Sequence, residues 1–346
     1  MICYPRAEAG LFVESLPQYQ LLKDGRLHIF LLGTGAPETE MEQIRKPSCI
    51  ALIANGKLFF FDAGEGAVQT AASVGIPYER LSKIFMTHWH SDHFGGLGQL
   101  LNASWLHGRT CSVDVYGPTG TRKVLDGLKQ AYTLDTGFRA ATIKGGLDPK
   151  LSGAIPHEVS ADANGTLVYS DSKLKISCFT VKHTPVVPAF GYEIIYGGTK
   201  IVISGDTAVV QALEHHAQHA DVLINEAFSH PLAKIEAQKQ HSTRLVDELS
   251  SYHSDTLELA KMAQRAGVKH LVLTHMVPSI ATTDEAKQSF SEGMPALYHG
   301  KLTIADDGDQ IIVNPSGQTD AKIEYVHHKQ LDIPVLPRPS DEPSPG

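Results

Sequence analysis

Short apolar runs recur along the chain, and each closes on glycine or a polar turn. Leu27-His-Ile-Phe-Leu-Leu32 runs into Gly33-Thr-Gly35, and Cys49-Ile-Ala-Leu-Ile53 turns at Asn55-Gly56 into Lys57-Leu-Phe-Phe-Phe61. Asn-Gly between two apolar runs signals a hairpin, because the tight turn needs residues that tolerate positive φ. The same pattern predicts strands over 84–87, 113–116, 174–181, 191–195, 200–204, 222–224 and 270–274. Between them lie helical stretches over 67–74, 96–106, 119–132, 208–219 and 256–266. Strands alternating with helices predict an α/β chain, and the N-terminal hairpins make its sheet mixed. We read residues 1–326 as a single domain and 327–346, rich in proline, as an extended tail.

The chemistry concentrates at strand ends. The apolar run Ile84-Phe-Met leads into Thr87-His-Trp-His-Ser-Asp-His93. In an extended segment His88 and His90 point the same way and can share one metal ion. Asp92 and His93 follow the turn and can face a second ion. Three more strand-like runs end in a potential ligand, at His183, Asp206 and His275, and loops at strand ends are where an α/β scaffold places its site. These seven donors suffice for two divalent ions if Asp206 bridges. Imidazole and carboxylate together suit Zn²⁺ first, with Mn or Fe as alternatives. Gly95-Gly96 is expected to let the backbone turn tightly into the next helix. Asp62 is expected to hold the ligand loop by hydrogen bonds, and Gly33-Thr-Gly35 to be a tight turn. His215, His216 and His219 read as a solvated helix face, and His327-His328 as surface.

No apolar run reaches the roughly 18–20 residues of a membrane span, so no membrane partner is expected. Lys and Arg number 30 against 38 Asp and Glu, a net charge of -8, and no basic block appears. That balance speaks against nucleic acid as a partner. Cys3, Cys49, Cys111 and Cys178 form no CxxC pair and read as isolated thiols in a reducing compartment. With no charged and apolar leader at the start, a cytoplasmic location is expected; a removed leader would allow the periplasm or secretion. A homodimer is left open.

Thr87–His93, with Asp62-Ala-Gly-Glu-Gly66, Ser204-Gly-Asp206 and Leu273-Thr-His275, resembles the metallo-β-lactamase fold superfamily of binuclear hydrolases over roughly residues 27–315. The resemblance implies an αββα sandwich of two mixed β-sheets with the metal site at one edge. It also implies one metal held by His88, His90 and His183 and a second by Asp92, His93 and His275, with Asp206 bridging. Histidine at 90 departs from the HxExD motif of the di-iron branch. Leu32-Gly-Thr-Gly35, Tyr116-Gly-Pro-Thr-Gly120, Pro188-Ala-Phe-Gly-Tyr192 and Asp221-Val-Leu-Ile-Asn-Glu-Ala227 are similar to the tRNase Z/arylsulfatase subgroup. Tyr252-His-Ser-Asp-Thr256 resembles that subgroup's extra histidine segment, which makes His253 a proton donor or oxyanion stabiliser oriented by Glu226. Asp92, His253 and Glu226 are thus the candidate catalytic residues. Two departures stand out: no tRNA-binding arm separates the strand at Gly191-Tyr192 from Ser204-Gly-Asp206, and Asn225 stands where the tRNase pattern has histidine.

Together these features predict a binuclear metal-dependent hydrolase of a small anionic ester, an aryl sulfate or a phosphate mono- or diester. The alternatives are a tRNA 3′-processing endonuclease, a lactone or thioester hydrolase, and a non-catalytic metal-bound regulatory module. Residues 133–170 are expected to form part of the pocket wall.

Overall fold

A computed structural model of the protein describes residues 17–38, 41, 44–142, 147–239, 243–314 and 322–327. Fifteen strands are named in chain order: β1 (Leu27–Gly33), β2 (Cys49–Ala54), β3 (Lys57–Phe61), β4 (Leu81–Phe85), β5 (Val113–Gly117), β6 (Ala154–Glu158), β7 (Thr166–Ser170), β8 (Leu174–His183), β9 (Val186–Tyr196), β10 (Thr199–Ile203), β11 (Val222–Phe228), β12 (His270–Val277), β13 (Lys301–Ile304), β14 (Gln310–Asn314) and β15 (Lys322–Val326). They form an eight-stranded sheet, β15-β14-β1-β2-β3-β4-β5-β6, and a seven-stranded sheet, β13-β12-β11-β10-β9-β8-β7. Each sheet is half antiparallel and half parallel. The first turns parallel from β3 to β6 and the second from β10 to β13.

Four layers follow from side chains that alternate along strands buried on both faces. Leu27, Ile29 and Leu31 of β1 point into the layer between the sheets, against Ile176, Ile194 and Ile224. Phe30 and Leu32 point outward onto Ala67 and Ala71 of the helix Ala67–Ser73 and Leu100 of the helix Leu97–Leu106. Across the molecule, Leu223 and Leu271 pack on Leu213 of the helix Gln211–Ala217 and on Leu259 and Ala263 of the helix Thr256–Ala266. The expected αββα sandwich is thus present. Its parallel halves bring the C-terminal ends of β3, β4, β10, β11 and β12 to one edge.

The differences from expectation are local. The strand expected over 84–87 is Leu81–Phe85, because Thr87 has left the ladder. The helix expected over 119–132 starts at Thr121, after Gly120 at φ +102°. His216 is buried: its ring stacks 4.0 Å from that of Phe179 and Nδ1 lies 3.1 Å from Glu193, so the solvated face is limited to its neighbours. His219 sits beyond the helix end at φ +54°, which separates it from His215. Cys49 and Cys178 are buried free thiols, but Cys111 is disulfide-bonded. Distance in sequence does not limit distance in space, and the cysteines therefore lose their force as an argument for a reducing compartment. Of the expected tail, all but His327 lies outside the described residues.

Candidate metal centre

Asp62, just past β3, organises the first ligand loop. Its carboxylate accepts the Thr87 backbone N–H and the Thr87 hydroxyl, each at 2.7 Å, and also pairs with His93 Nδ1 at 2.7 Å. This pulls the chain off β4 and aims His93 Nε2 away from Asp62, toward Asp92 and Asp206. Asp62 itself sits at φ +56°, a left-handed conformation that Asp adopts more readily than most residues. The neighbouring glycines serve close approach. A Cβ on Gly96 would lie 2.2 Å from the Gly64 carbonyl oxygen, and one on Gly64 would lie 2.5 Å from that of Asp92. Gly95 and Gly96 have ordinary φ values of -58° and -87°, so crowding between loops, and not a tight turn, requires them.

The structure brings the seven expected donors together. Ligand atoms of His88, His90, His183 and Asp206 lie within 4.8 Å of one another, and so do those of Asp92, His93 and His275. Asp206 stands between the two groups. Its Oδ2 is 3.9 Å from His88 Nε2, 3.7 Å from His183 Nε2 and 3.4 Å from His275 Nε2, while Oδ1 is 3.3 Å from His93 Nε2. Asp92 Oδ2 lies 3.1 Å from His275 Nε2, and His183 Nε2 lies 3.2 Å from His90 Nδ1. Ligands about 2.1 Å from a tetrahedral cation sit roughly 3.4 Å from each other, so these spacings match a coordination shell.

Two observations show that the donors fit a cation. His88 Nε2 and His93 Nε2 are buried without a hydrogen-bond partner, a cost of about 1–3 kcal/mol each that coordination would remove. Burial also drives His88 well below its usual pKa and His183 down to about 4, which keeps both imidazoles neutral and able to ligate. Against burial, Asp206 and Asp92 hold His93 well above its usual value and His275 up to about 9, protons that a bound cation would replace. Burial opposes ionisation of Asp92 and Asp206 too, but the surrounding histidines outweigh it and hold both carboxylates ionised, Asp92 at about 2.

Beside this cluster, His253 Nδ1 lies 3.0 Å from Glu226 Oε1. The same oxygen accepts the backbone N–H groups of Thr207 and Ser254, both at 3.0 Å. Glu226 thereby ties together the ends of β10 and β11 and the segment before the helix Thr256–Ala266. Burial lowers the pKa of His253, but Glu226 more than offsets this and the net shift is upward. Asn225 Nδ2 donates to the Glu226 carbonyl at 2.7 Å and to Ser254 Oγ at 3.2 Å, so it braces the same junction.

The cluster forms the floor of a cavity of about 800 Å³. Its walls come from the helices His230–Lys239 and Thr243–Ser250, Tyr252, and the segments around Ala36 and Ile280. The described residues of 133–170 do not line it, which corrects the expectation for them; β6 and β7, which fall in that stretch, close the far edges of the two sheets. Tyr252 opens the histidine segment noted in the sequence, but nothing there marks it as a wall residue, and the helical pair carries no motif. The expected lack of an arm is visible in the backbone: β8 joins β9 through Thr184-Pro185, and β9 joins β10 through Gly197-Gly198.

Comparison with known proteins gives this geometry a family. The sequence profile of the β-lactamase superfamily domain matches residues 58–276. Ribonuclease Z of Mycobacterium marinum is 32% identical over 291 residues, covering 83% of this chain and 99% of that protein. Ribonuclease Z of Mycolicibacterium gilvum is 30% identical over 292 residues, covering 84% and 97%. Among solved structures, the short form of human tRNase Z aligns with a TM-score of 0.59 at 25% identity, over 82% of this chain and 98% of that one. The metallo-β-lactamase fold protein YhfI of Bacillus subtilis also gives 0.59, at 15% identity over 83% and 99%, a likeness of fold alone. These ribonuclease relatives overturn the expectation of a small-molecule ester partner with nucleic acid unlikely. That expectation rested on net charge and on the missing arm. Net charge averages over a whole surface, whereas a phosphodiester meets only the local field of the site. With its profile match and relatives aligned over nearly their full length, the chain belongs to the metallo-β-lactamase superfamily of hydrolases, in the ribonuclease Z-like branch.

Proposed function

We propose that the protein is a metal-dependent RNA phosphodiesterase that processes the 3′ end of precursor tRNA. The reading is carried by 32% identity to a ribonuclease Z over 99% of that protein's length, with the seven clustered donors supplying its chemistry. His88, His90 and His183 would hold one divalent cation and Asp92, His93 and His275 a second, with Asp206 between them; Zn²⁺ is the ion these donors favour. Two such cations would acidify a water molecule and offset the charge that develops on the phosphodiester oxygens.

The protein's own residues account for the proton transfers. Attack by water on phosphorus breaks the bond to the leaving ribose oxygen, whose electron pair stays on that oxygen. Asp92 takes the proton that the attacking water loses. Because Glu226 engages Nδ1, the proton on His253 Nε2 is free to pass to the leaving oxygen. The products are a phosphate monoester and a free hydroxyl. Zinc-reconstituted protein incubated with precursor tRNA tests this reading, with the new ends mapped at nucleotide resolution. A single cut at the 3′ end of the acceptor stem, leaving a 3′ hydroxyl on the tRNA, is expected; uncut precursor beside turnover of aryl esters would contradict the proposal.

A further inference from the structure

The cavity above the donor cluster is chemically lopsided. Its floor holds His90, Asp92, Asp206 and His275, while its upper walls are Leu232, Val246, Leu249, Ile280 and the half-exposed Ile235. Among the residues whose side chains are described, no lysine or arginine lines it. The lining carboxylates outside the cluster are Glu38, which accepts the Ser279 N–H, and Glu236. A phosphate pressed against these apolar side chains would lose its hydration with no described cation beside them, so they suit an uncharged part of the substrate. At about 800 Å³ it falls within the roughly 300–1,000 Å³ of pockets that enclose small organic groups.

Among the described residues, Tyr252 is the lining aromatic other than histidine. Its ring meets that of His183 edge-on at 5.1 Å and lies 4.9 Å from that of His253. Its carbonyl oxygen is 3.2 Å from His183 Nδ1, which fixes the residue relative to the donors. An aromatic face held beside a phosphodiester site is a platform for a nucleobase, since bases stack on aromatic rings whatever their sequence. Which base it takes follows from His253. This proton donor neighbours Tyr252 in the chain, so the leaving oxygen and its nucleoside lie on the Tyr252 side.

We propose that the cavity receives the nucleobase of the nucleotide that keeps the leaving oxygen, stacked on Tyr252. The proposal rests on the reading of the chain as an RNA phosphodiesterase. It makes Tyr252 a substrate-binding residue and the helices His230–Lys239 and Thr243–Ser250 the walls of a base pocket.

The test uses full-length protein stripped of metal, so that RNA binds without being cut. Precursor hairpins carry 2-aminopurine on one side or the other of the scissile bond, and anisotropy reports binding separately. Stacking should quench the leaving-side probe about threefold or more and leave the other probe unchanged. Quenching should vanish in Tyr252→Ala and persist in Tyr252→Phe. With metal restored, an abasic leaving-side nucleotide should raise KM about 10-fold in the wild-type protein, and Tyr252→Ala should add little to that loss. Bound RNA with no quenching, equal quenching on both sides, or undiminished quenching in Tyr252→Ala would overturn the pocket assignment while leaving the nuclease reading intact. Failure of the wild-type protein to bind the hairpin at all would refute the nuclease reading, and the pocket with it.

Discussion

Glu226 Oε1 lies 3.0 Å from His253 Nδ1 and is shared with two backbone N–H groups, so the imidazole is clamped with its other nitrogen facing the cavity. A donor atom of His253 also lies within 4.8 Å of those of Asp206 and His275, so substitution is what separates a proton donor from a metal ligand. His253→Ala should leave metal content unchanged and lower kcat by about 10²–10⁴. The loss should be largest for ribose leaving groups and shrink for p-nitrophenyl phosphodiesters, whose leaving oxygen needs little protonation. Equal loss on both substrates would assign His253 to binding, and loss of metal would assign it to coordination.

Metal stoichiometry checks the seven-donor cluster. Elemental analysis after zinc reconstitution should give about two ions per chain. Because Asp206 contacts both groups of donors, Asp206→Ala should empty both positions, whereas His183→Ala should weaken mainly one. Retention of two ions in Asp206→Ala would remove it from the bridge.

Much of this site is legible in the sequence, for a physical reason. His88, His90, Asp92, His93, His183, Asp206 and His275 all follow apolar runs; strands of the parallel halves carry six of them to a common edge, and His183 reaches it at the end of the antiparallel β8. Asp62 was readable as a support for the same reason. The cavity was not. Its walls come from Leu232, Val246 and Leu249 on two helices whose apolar positions look like those of any core-facing helix. Tyr252 gains its meaning only by standing beside His183, distant in sequence. The edge strands β6, β7, β13 and β15 were missed because half-exposed strands show weak apolar runs; the buried β14 was missed too, its apolar run being only Ile311-Ile-Val313.

RNA docking without an arm calls for other cations near the site. Arg122 and Lys123 are exposed at the start of the helix Thr121–Ala131, next to Gly120, where a Cβ would lie 3.6 Å from the Trp89 indole between two donor histidines. Charge reversal of both residues should weaken precursor binding and reduce the slope of log affinity against log salt by about 1–2. An unchanged slope would exclude this helix from the RNA contact.

Stability should respond to acid through His270. Burial and then Lys301 bring its pKa down to about 4 from the ordinary 6.5. The folded protein therefore binds fewer protons than the unfolded chain between these values, and stability present at neutral pH is lost as pH falls through 6.5 toward 4. The loss from this group is about 2 kcal/mol at pH 5. Urea midpoints of wild type and His270→Gln, compared at pH 7 and pH 5, should show the wild type losing more; parallel losses would mean that His270 titrates normally in the fold.

The central claim is that this donor cluster hydrolyses an RNA phosphodiester. The most direct measurement compares kcat/KM of the zinc-loaded protein for precursor tRNA with that for an aryl sulfate and a p-nitrophenyl phosphodiester, in one buffer and beside Asp206→Ala. The account predicts a kcat/KM for precursor tRNA at least about 100-fold above either small ester, the equivalent of roughly 2.7 kcal/mol of added transition-state binding, and no activity on any substrate in the variant. A higher kcat/KM on either small ester than on precursor tRNA would contradict it.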